Sequence, residues 1–212
     1  MAVLVPIVEG DGEVDAVPLL LRRLLYEFLR RFDLEIGPPK NAHGRTNLTT
    51  RGGIERFVRY ALKEPEAAGV IVLVDADDDI PCALACHLRH RIEALSPSIP
   101  AAVVCAERQY ESWFVESIET LRGKCDLCTD AEWPASRPPN PKAWLRDRMP
   151  ATRTYKETSD QVSLTSELDF SLLAERSRSF RRMRHAVEEL VEAHDTGTSS
   201  VTPLRCDPEA NG

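Results

Sequence analysis

Acidic side chains stand where three apolar runs end. Glu9 follows the run from Val3 to Val8, with Glu13 one helical turn later; Asp75 and Asp77 follow Val70 to Val74; Glu107 and Glu111 follow Ala101 to Cys105. If those runs are neighbouring strands of a parallel sheet, about 4.8 Å apart, the carboxylates leave one edge of it and can converge on a small volume. Carboxylates so gathered repel one another unless a cation or another partner neutralises them. Hard divalent cations take oxygen ligands of this kind, and Mg²⁺ or Mn²⁺ held there can activate water and clamp a phosphodiester. For Glu13 or Asp79 taken alone, a wet loop and a favourable helix dipole account for the charge; for Glu9, Asp75 and Asp77 together they do not. Asp78 fits a helix cap and a third ligand equally well. Gly10 and Gly12 could admit a backbone or a phosphate, or simply make a turn.

Such convergence needs an α/β core, and the first half of the chain has its rhythm. Val3–Val8, Leu34–Ile36, Val70–Val74 and Ala101–Cys105 read as strands, the third being five consecutive apolar residues of which four are β-branched. Between them, Val14, Val17, Leu20, Leu21, Leu24, Leu25, Phe28 and Leu29 recur at helical spacing, with Pro18 tolerable only in the first turn. Helices are expected at Ile54–Lys63, Cys82–Leu95 and Tyr110–Leu121, and a polar loop at Lys40–Gly53. Alternating strands and helices predict a mainly parallel sheet of about four strands flanked by helices, over residues 1–122. Residues 123–194 carry several prolines and no good strand. They read as a helical C-terminal region packed on the core, with helices at Pro141–Arg148, Asp160–Leu168 and Ser179–Ala193. Residues 195–212, rich in Gly, Ser, Thr and Pro, read as a flexible tail.

With 212 residues, 42% hydrophobic and 29% charged, the chain is globular, and no apolar run approaches the roughly 18–20 residues that span a bilayer. A membrane protein is excluded. No secretory leader is evident, and six dilute cysteines suggest reduced thiols in a cytoplasm. Cys125 and Cys128 have zinc-ligand spacing without a second pair to complete the site, and Cys82 and Cys86 read as small apolar fillers on a helix. His43, in the polar loop, is a solvated side chain or an acid/base. A net charge of −7 means that any polyanion must be bound by a local basic patch or through metal ions. Arg176, Arg178, Arg181, Arg182 and Arg184 form the densest such patch. Of these, Arg178, Arg181 and Arg182 are the expected nucleic-acid contacts, with the solvated face of a helix as the equally weighted alternative.

The strand ending Val8-Glu9-Gly10-Asp11-Gly12-Glu13 and the later strand ending Val74-Asp75-Ala76-Asp77 resemble the Toprim domain of topoisomerases, primases and overcoming-lysogenization-defect nucleases, over roughly residues 1–122. Tyr110-Glu111-Ser112-Trp113-Phe114 and Tyr155-Lys156 are similar to segments of a bacterial and phage family of Toprim-like proteins of uncharacterised function, to about Val191. The resemblance implies metal-dependent phosphodiester chemistry, with Mg²⁺ or Mn²⁺ as cofactor and nucleic acid as partner. By the same resemblance Glu9 is a ligand or general acid/base, Asp75 and Asp77 are ligands, Glu13 and Glu111 further ligands, and Lys156 a contact to the scissile phosphate. Trp113 is expected in the core. No nucleophilic-tyrosine domain or phosphate-binding ATPase loop accompanies these motifs. Two other readings stand beside the nuclease: a catalytically silent binding or regulatory module acting with a partner protein, and an aspartyl-phosphate phosphatase using Asp75, against which Asp79 stands where that motif wants Thr or Val.

Overall fold

The computed structural model describes residues 1–201. Strands β1 (Ala2–Val8), β2 (Leu34–Ile36), β3 (Lys40–Asn41), β4 (Ala67–Asp75) and β5 (Ala101–Ala106) form one five-stranded sheet. Its order is β2-β1-β4-β5, with β3 beside the far end of β1, and every pairing is parallel. The strands lack polar alternation because both faces are covered. Leu4, Val8, Ile71, Leu73 and Val104 point into one core cluster, while Val5, Ile7, Val70, Val72 and Val103 point into the other.

The first cluster is closed by α1 (Glu13–Arg23), which supplies Leu20 and Leu21, and by α10 (Arg178–Thr196), which supplies Met183, Val187 and Leu190. The second is closed by α3 (Gly53–Ala61) through Ile54 and Val58, and by α4 (Pro81–Glu93) through Leu88 and Ile92. The chain therefore leaves β1 through a helix on one face towards β2, and leaves β4 through a helix on the opposite face towards β5. Adjacent strands whose connections diverge in this way open a crevice at their carboxyl ends. Short helices α5 (Ser112–Glu116), α6 (Ile118–Leu121), α7 (Pro141–Arg146), α8 (Glu157–Ser166) and α9 (Phe170–Arg176) follow, and they share the α1/α10 core. Trp113 is fully buried there, its indole N–H donating to Ser179 Oγ at 2.9 Å.

Several local expectations are corrected. The stretch Lys40–Gly53 is not all loop: Lys40 and Asn41 pair with Ile7 and Val8 as β3, and Thr46–Thr49 forms α2. Pro18 lies inside α1 rather than in its first turn, where it is buried. Regular helical spacing fails after Arg23, and Leu24–Phe28 closes as a π-helical turn with Leu29 N–H on the Leu24 carbonyl at 3.0 Å. The expected helix from Tyr110 to Leu121 breaks at Ser117, a buried residue whose hydroxyl accepts from the Asp169 N–H. Helix α9 was not apparent from the spacing; Asp169 caps it by accepting from the N–H groups of Ser171 and Leu172. Helix α10 continues through Asp195 and Thr196 to a left-handed Gly197, and Asp195 pairs with Arg31 at 2.7 Å, so the start of the expected tail is helical. Positions 202–212 of that tail lie outside the described residues. Cys82, Cys105, Cys125 and Cys128 are free thiols.

Gly12 is required for a close approach. A Cβ there would stand 2.6 Å from Gln161 Oε1 and 2.8 Å from Glu157 Cβ, so α8 lies directly on the turn that leads from β1 into α1. Gly12→Ala is expected to push α8 off this turn at a cost of about 1–3 kcal/mol, as overpacking generally costs. Urea denaturation measures the loss, and an unchanged midpoint would contradict the contact.

Candidate functional site

The register of β1 on β4 pairs Ile7 with Val72, and β5 follows with Ala106 opposite Asp75. Two residues beyond Ile7, Glu9 falls level with Val74, next to Asp75, and its carboxylate accepts the Asp75 backbone N–H at 3.1 Å. Glu13, at the start of α1, folds back so that its Oε2 accepts from the N–H groups of Glu9 (2.6 Å) and Gly10 (3.2 Å). Asp75 Oδ1 accepts from the Tyr110 N–H at 2.8 Å, which ties the segment after β5 to the end of β4. Glu111, fully buried beside that segment, accepts from Gln161 Nε2 of α8 at 2.9 Å. Four carboxylates from three stretches of chain, the β1–α1 turn, the end of β4 and the segment after β5, thus meet at the carboxyl edge of the sheet.

Their electrostatics show how closely they meet. Burial pushes the Glu13 carboxyl up to about 8, and the charges of Glu9 and Glu111 add to it against the two backbone hydrogen bonds. Asp75 is raised well above the usual carboxylate range by burial and then by Glu13, Glu111 and Glu9, with the Tyr110 N–H opposing. Glu9 is raised by burial and by Asp77, while the Asp75 N–H, Arg45 and Lys142 pull it down. Lys142, in the first turn of α7, loses hydration on partial burial, yet Glu111, Glu157 and Asp75 hold it above its ordinary value; its ammonium is 3.0 Å from Glu157.

Of the residues expected from the sequence, Glu9, Glu13, Asp75 and Glu111 come together. Asp77 stands beside Glu9 with a left-handed backbone (φ 48°), exposed, and its carboxylate is 3.3 Å from the Arg45 guanidinium. Arg45 also pairs with Asp79, and Arg108 with Asp78. Lys156 is exposed at the N-cap of α8, where its N–H donates to Asp160. Arg178, Arg181 and Arg182 lie on α10. Arg178 is exposed, Arg181 donates to the carbonyls of Ala174 and Glu175, and Arg182 is half-buried near Arg178 and Arg89.

Sequence reasoning missed Lys142 and Gln161. The Asn140-Pro141 pair that starts α7, with the Asn140 side chain accepting from the Ala143 N–H, was a readable signal for a helix N-terminus. Nothing local announces that this terminus reaches the carboxylates. Gln161 has no motif, and its Oε1 is buried without a hydrogen-bond donor, as is Glu111 Oε2.

This donor set suits a hard divalent cation: every ligand atom is oxygen, and two of the buried oxygens lack a partner. Among the described residues, however, no three His, Cys, Asp or Glu side chains are disposed as a ready cage. Glu9, Glu13 and Asp75 are each raised by burial and by neighbouring carboxylates, and a bound ion would have to draw the group inward.

No curated protein matches this chain in sequence. Among solved structures it is similar to the C-terminal region of the Burkholderia pseudomallei OLD protein, with 16% identity, 92% of this chain and 99% of that chain covered, and a TM-score of 0.45. It is also similar to the C-terminal region of the Xanthomonas campestris pv. campestris OLD protein, with 17% identity, 92% and 97% covered, and a TM-score of 0.41. The family described as a domain of unknown function (DUF4276) matches residues 8–188, and this chain belongs to it.

Proposed function

We propose that this protein is a Mg²⁺- or Mn²⁺-dependent nuclease or related phosphodiester-processing enzyme of Toprim type. The observation that carries the reading is the convergence of Glu9, Glu13, Asp75 and Glu111 at the crevice between β1 and β4, with the Asp75 N–H on the Glu9 carboxylate. When bound, a divalent cation supplies the positive charge that a phosphodiester needs as it is attacked. Glu9, Glu13, Asp75 and Glu111 are the oxygens that would hold it, with Asp77 available if Arg45 releases it. Glu9 is the least confined of the four and is the group that would take or give a proton. Lys142 reaches Glu9, Asp75 and Glu111 with its charge and takes the phosphate-contacting role for which Lys156 was the sequence candidate. Nucleic acid is the proposed partner, and Arg178 and Arg182 are proposed outlying phosphate contacts. Arg181 is the weaker of the three because two of its contacts are already made within the fold. The phosphatase reading gains nothing here, since Asp75 Oδ1 already accepts the Tyr110 N–H and the carboxyl is crowded by Glu9, Glu13 and Glu111, which would repel an incoming phosphate.

Two measurements test this. Glu13 titrates at about 8 when folded against an ordinary 4.5. Below 4.5 both states are protonated. Between 4.5 and about 8 the unfolded chain gives up a proton that the folded chain keeps, so stability falls as pH rises and the loss is complete above about 8. The thermal midpoint of the metal-free protein should therefore fall across that window. Glu13→Gln should flatten the fall, and saturating Mn²⁺ should reverse it by replacing the proton. A midpoint independent of pH and of Mn²⁺ would count against the site.

Asp75→Asn and Lys142→Ala should each lower Mn²⁺-dependent cleavage of a labelled oligonucleotide by about 10²–10³-fold, the usual effect of removing one group that stabilises transition-state charge. Mn²⁺ binding without cleavage by the wild-type chain would instead assign it the silent-module role.

A further inference from the structure

A second feature lies beside the carboxylates on the outer face of α3. Arg56, Arg59, Tyr60 and Lys63 recur at helical spacing opposite the buried Ile54, Val58 and Ala61, so all four project from the sheet into solvent. With Asn41 and His43 they line an open cavity of about 610 Å³. Among the described residues, Arg56, Arg59 and Lys63 make no ion pair, and two acidic side chains near them along the chain are paired elsewhere, although the Glu55 charge also reaches Arg59. Glu55 is held by Arg91 at 2.7 Å, and Glu64 by Lys40 at 2.7 Å. Two arginines of the C-terminal cluster differ from them, Arg176 being bound to Glu119 and Arg184 to Glu188, whereas among the described residues Arg178, Arg181 and Arg182 likewise make no ion pair.

In a chain of net charge −7, three unneutralised cations around one cavity are a local positive field. Tyr60 adds a second element. It is 56% exposed, a large aromatic surface to leave in water, and the Lys40 ammonium lies 4.8 Å from its ring centroid. Arg56 lies similarly over Phe57, at 4.8 Å. Cations alternating with an exposed ring are what a single strand requires: charge to follow the backbone and a π-face on which a base stacks. The cavity is also joined to the carboxylate edge. Asn41 Nδ2 donates to Asp11 at 2.7 Å, and the Gly44 N–H donates to the Glu9 carbonyl at 2.7 Å, so its wall is hydrogen-bonded to the turn that carries Glu9.

We propose that this α3 cavity is a binding groove for single-stranded nucleic acid, in which Arg56, Arg59 and Lys63 contact successive phosphates and Tyr60 stacks a base, leading the strand to the carboxylates. The inference rests on the nucleic-acid reading above but not on hydrolysis, and its test is run without metal so that the two fail separately.

The full-length protein is titrated in EDTA against a fluorescein-labelled single-stranded oligonucleotide, as DNA and as RNA, over a range of salt. Three phosphate contacts to a single strand should contribute about 2 to the log–log salt slope. Arg56→Gln/Arg59→Gln/Lys63→Gln should remove that contribution. The control Arg22→Gln/Arg30→Gln/Lys124→Gln, which changes net charge equally, should leave most of it. Tyr60→Ala should weaken binding at least about five-fold, the lower end of what one stacked base contributes, and should leave the salt slope unchanged. Equal losses in the two triple variants would show only a general charge effect and overturn the groove. So would undiminished binding by Tyr60→Ala, or a preference for duplex over single strand. Absence of any binding by the wild-type chain would overturn it too, leaving the carboxylate site to be judged by Mn²⁺ binding alone.

Discussion

Four carboxyl groups at one sheet edge cannot all be ionised without a counter-charge. Glu9 and Glu13 of the β1–α1 turn, Asp75 and Glu111 are drawn from three stretches of chain, and the fold brings them together where burial has removed much of the water that would screen them. Backbone N–H groups of Glu9, Gly10, Asp75 and Tyr110 offset part of the repulsion, and Lys142 offsets more. The remainder must be met by a retained proton or by a cation. Burial and the neighbouring charges raise Glu13 and Asp75 and so favour a retained proton, and exchanging it for a cation would turn an electrostatic cost into a binding site.

The rest of the architecture serves that meeting. Parallel pairing of β1 with β4 brings Glu9 beside the end of β4, where its carboxylate meets the Asp75 N–H, and the helices on opposite faces open a crevice at these strand ends. Gly12 lets α8 settle on the turn, which brings Gln161 to Glu111. Helix α7 presents Lys142 from the remaining side. The Asp77–Asp79 loop is held outward by Arg45 and Arg108, so the acidic residues divide into an inner group at the crevice and an outer group balanced by arginine.

The strands were legible because they are buried on both faces: a run such as Val70–Val74 has no other plausible place. Helices that present one apolar stripe to the sheet, such as α3, were legible for the same reason. What stayed hidden depended on contacts distant in sequence. The two-residue β3 exists only because β1 offers it an edge, and the break at Ser117 exists because Asp169 arrives to use its hydroxyl. The acidic members of the site could be seen because each ends an apolar run. Lys142 and Gln161 could not, since α7 and α8 are brought to the sheet by tertiary packing and carry no periodic mark of their destination. The densest arginine run drew attention by count, whereas the sparser cations of α3 stand out only once the fold groups them around one cavity.

Proton release on metal binding tests the central claim most directly. Calorimetric titration of the protein with Mn²⁺ at pH 7, repeated in two buffers of different ionisation enthalpy, gives the number of protons displaced per ion. If the inner carboxyls hold a proton that a cation replaces, about one proton or more should leave for each ion bound, and fewer in Glu13→Gln. Mn²⁺ binding with identical heats in both buffers, or no binding at all, would contradict it.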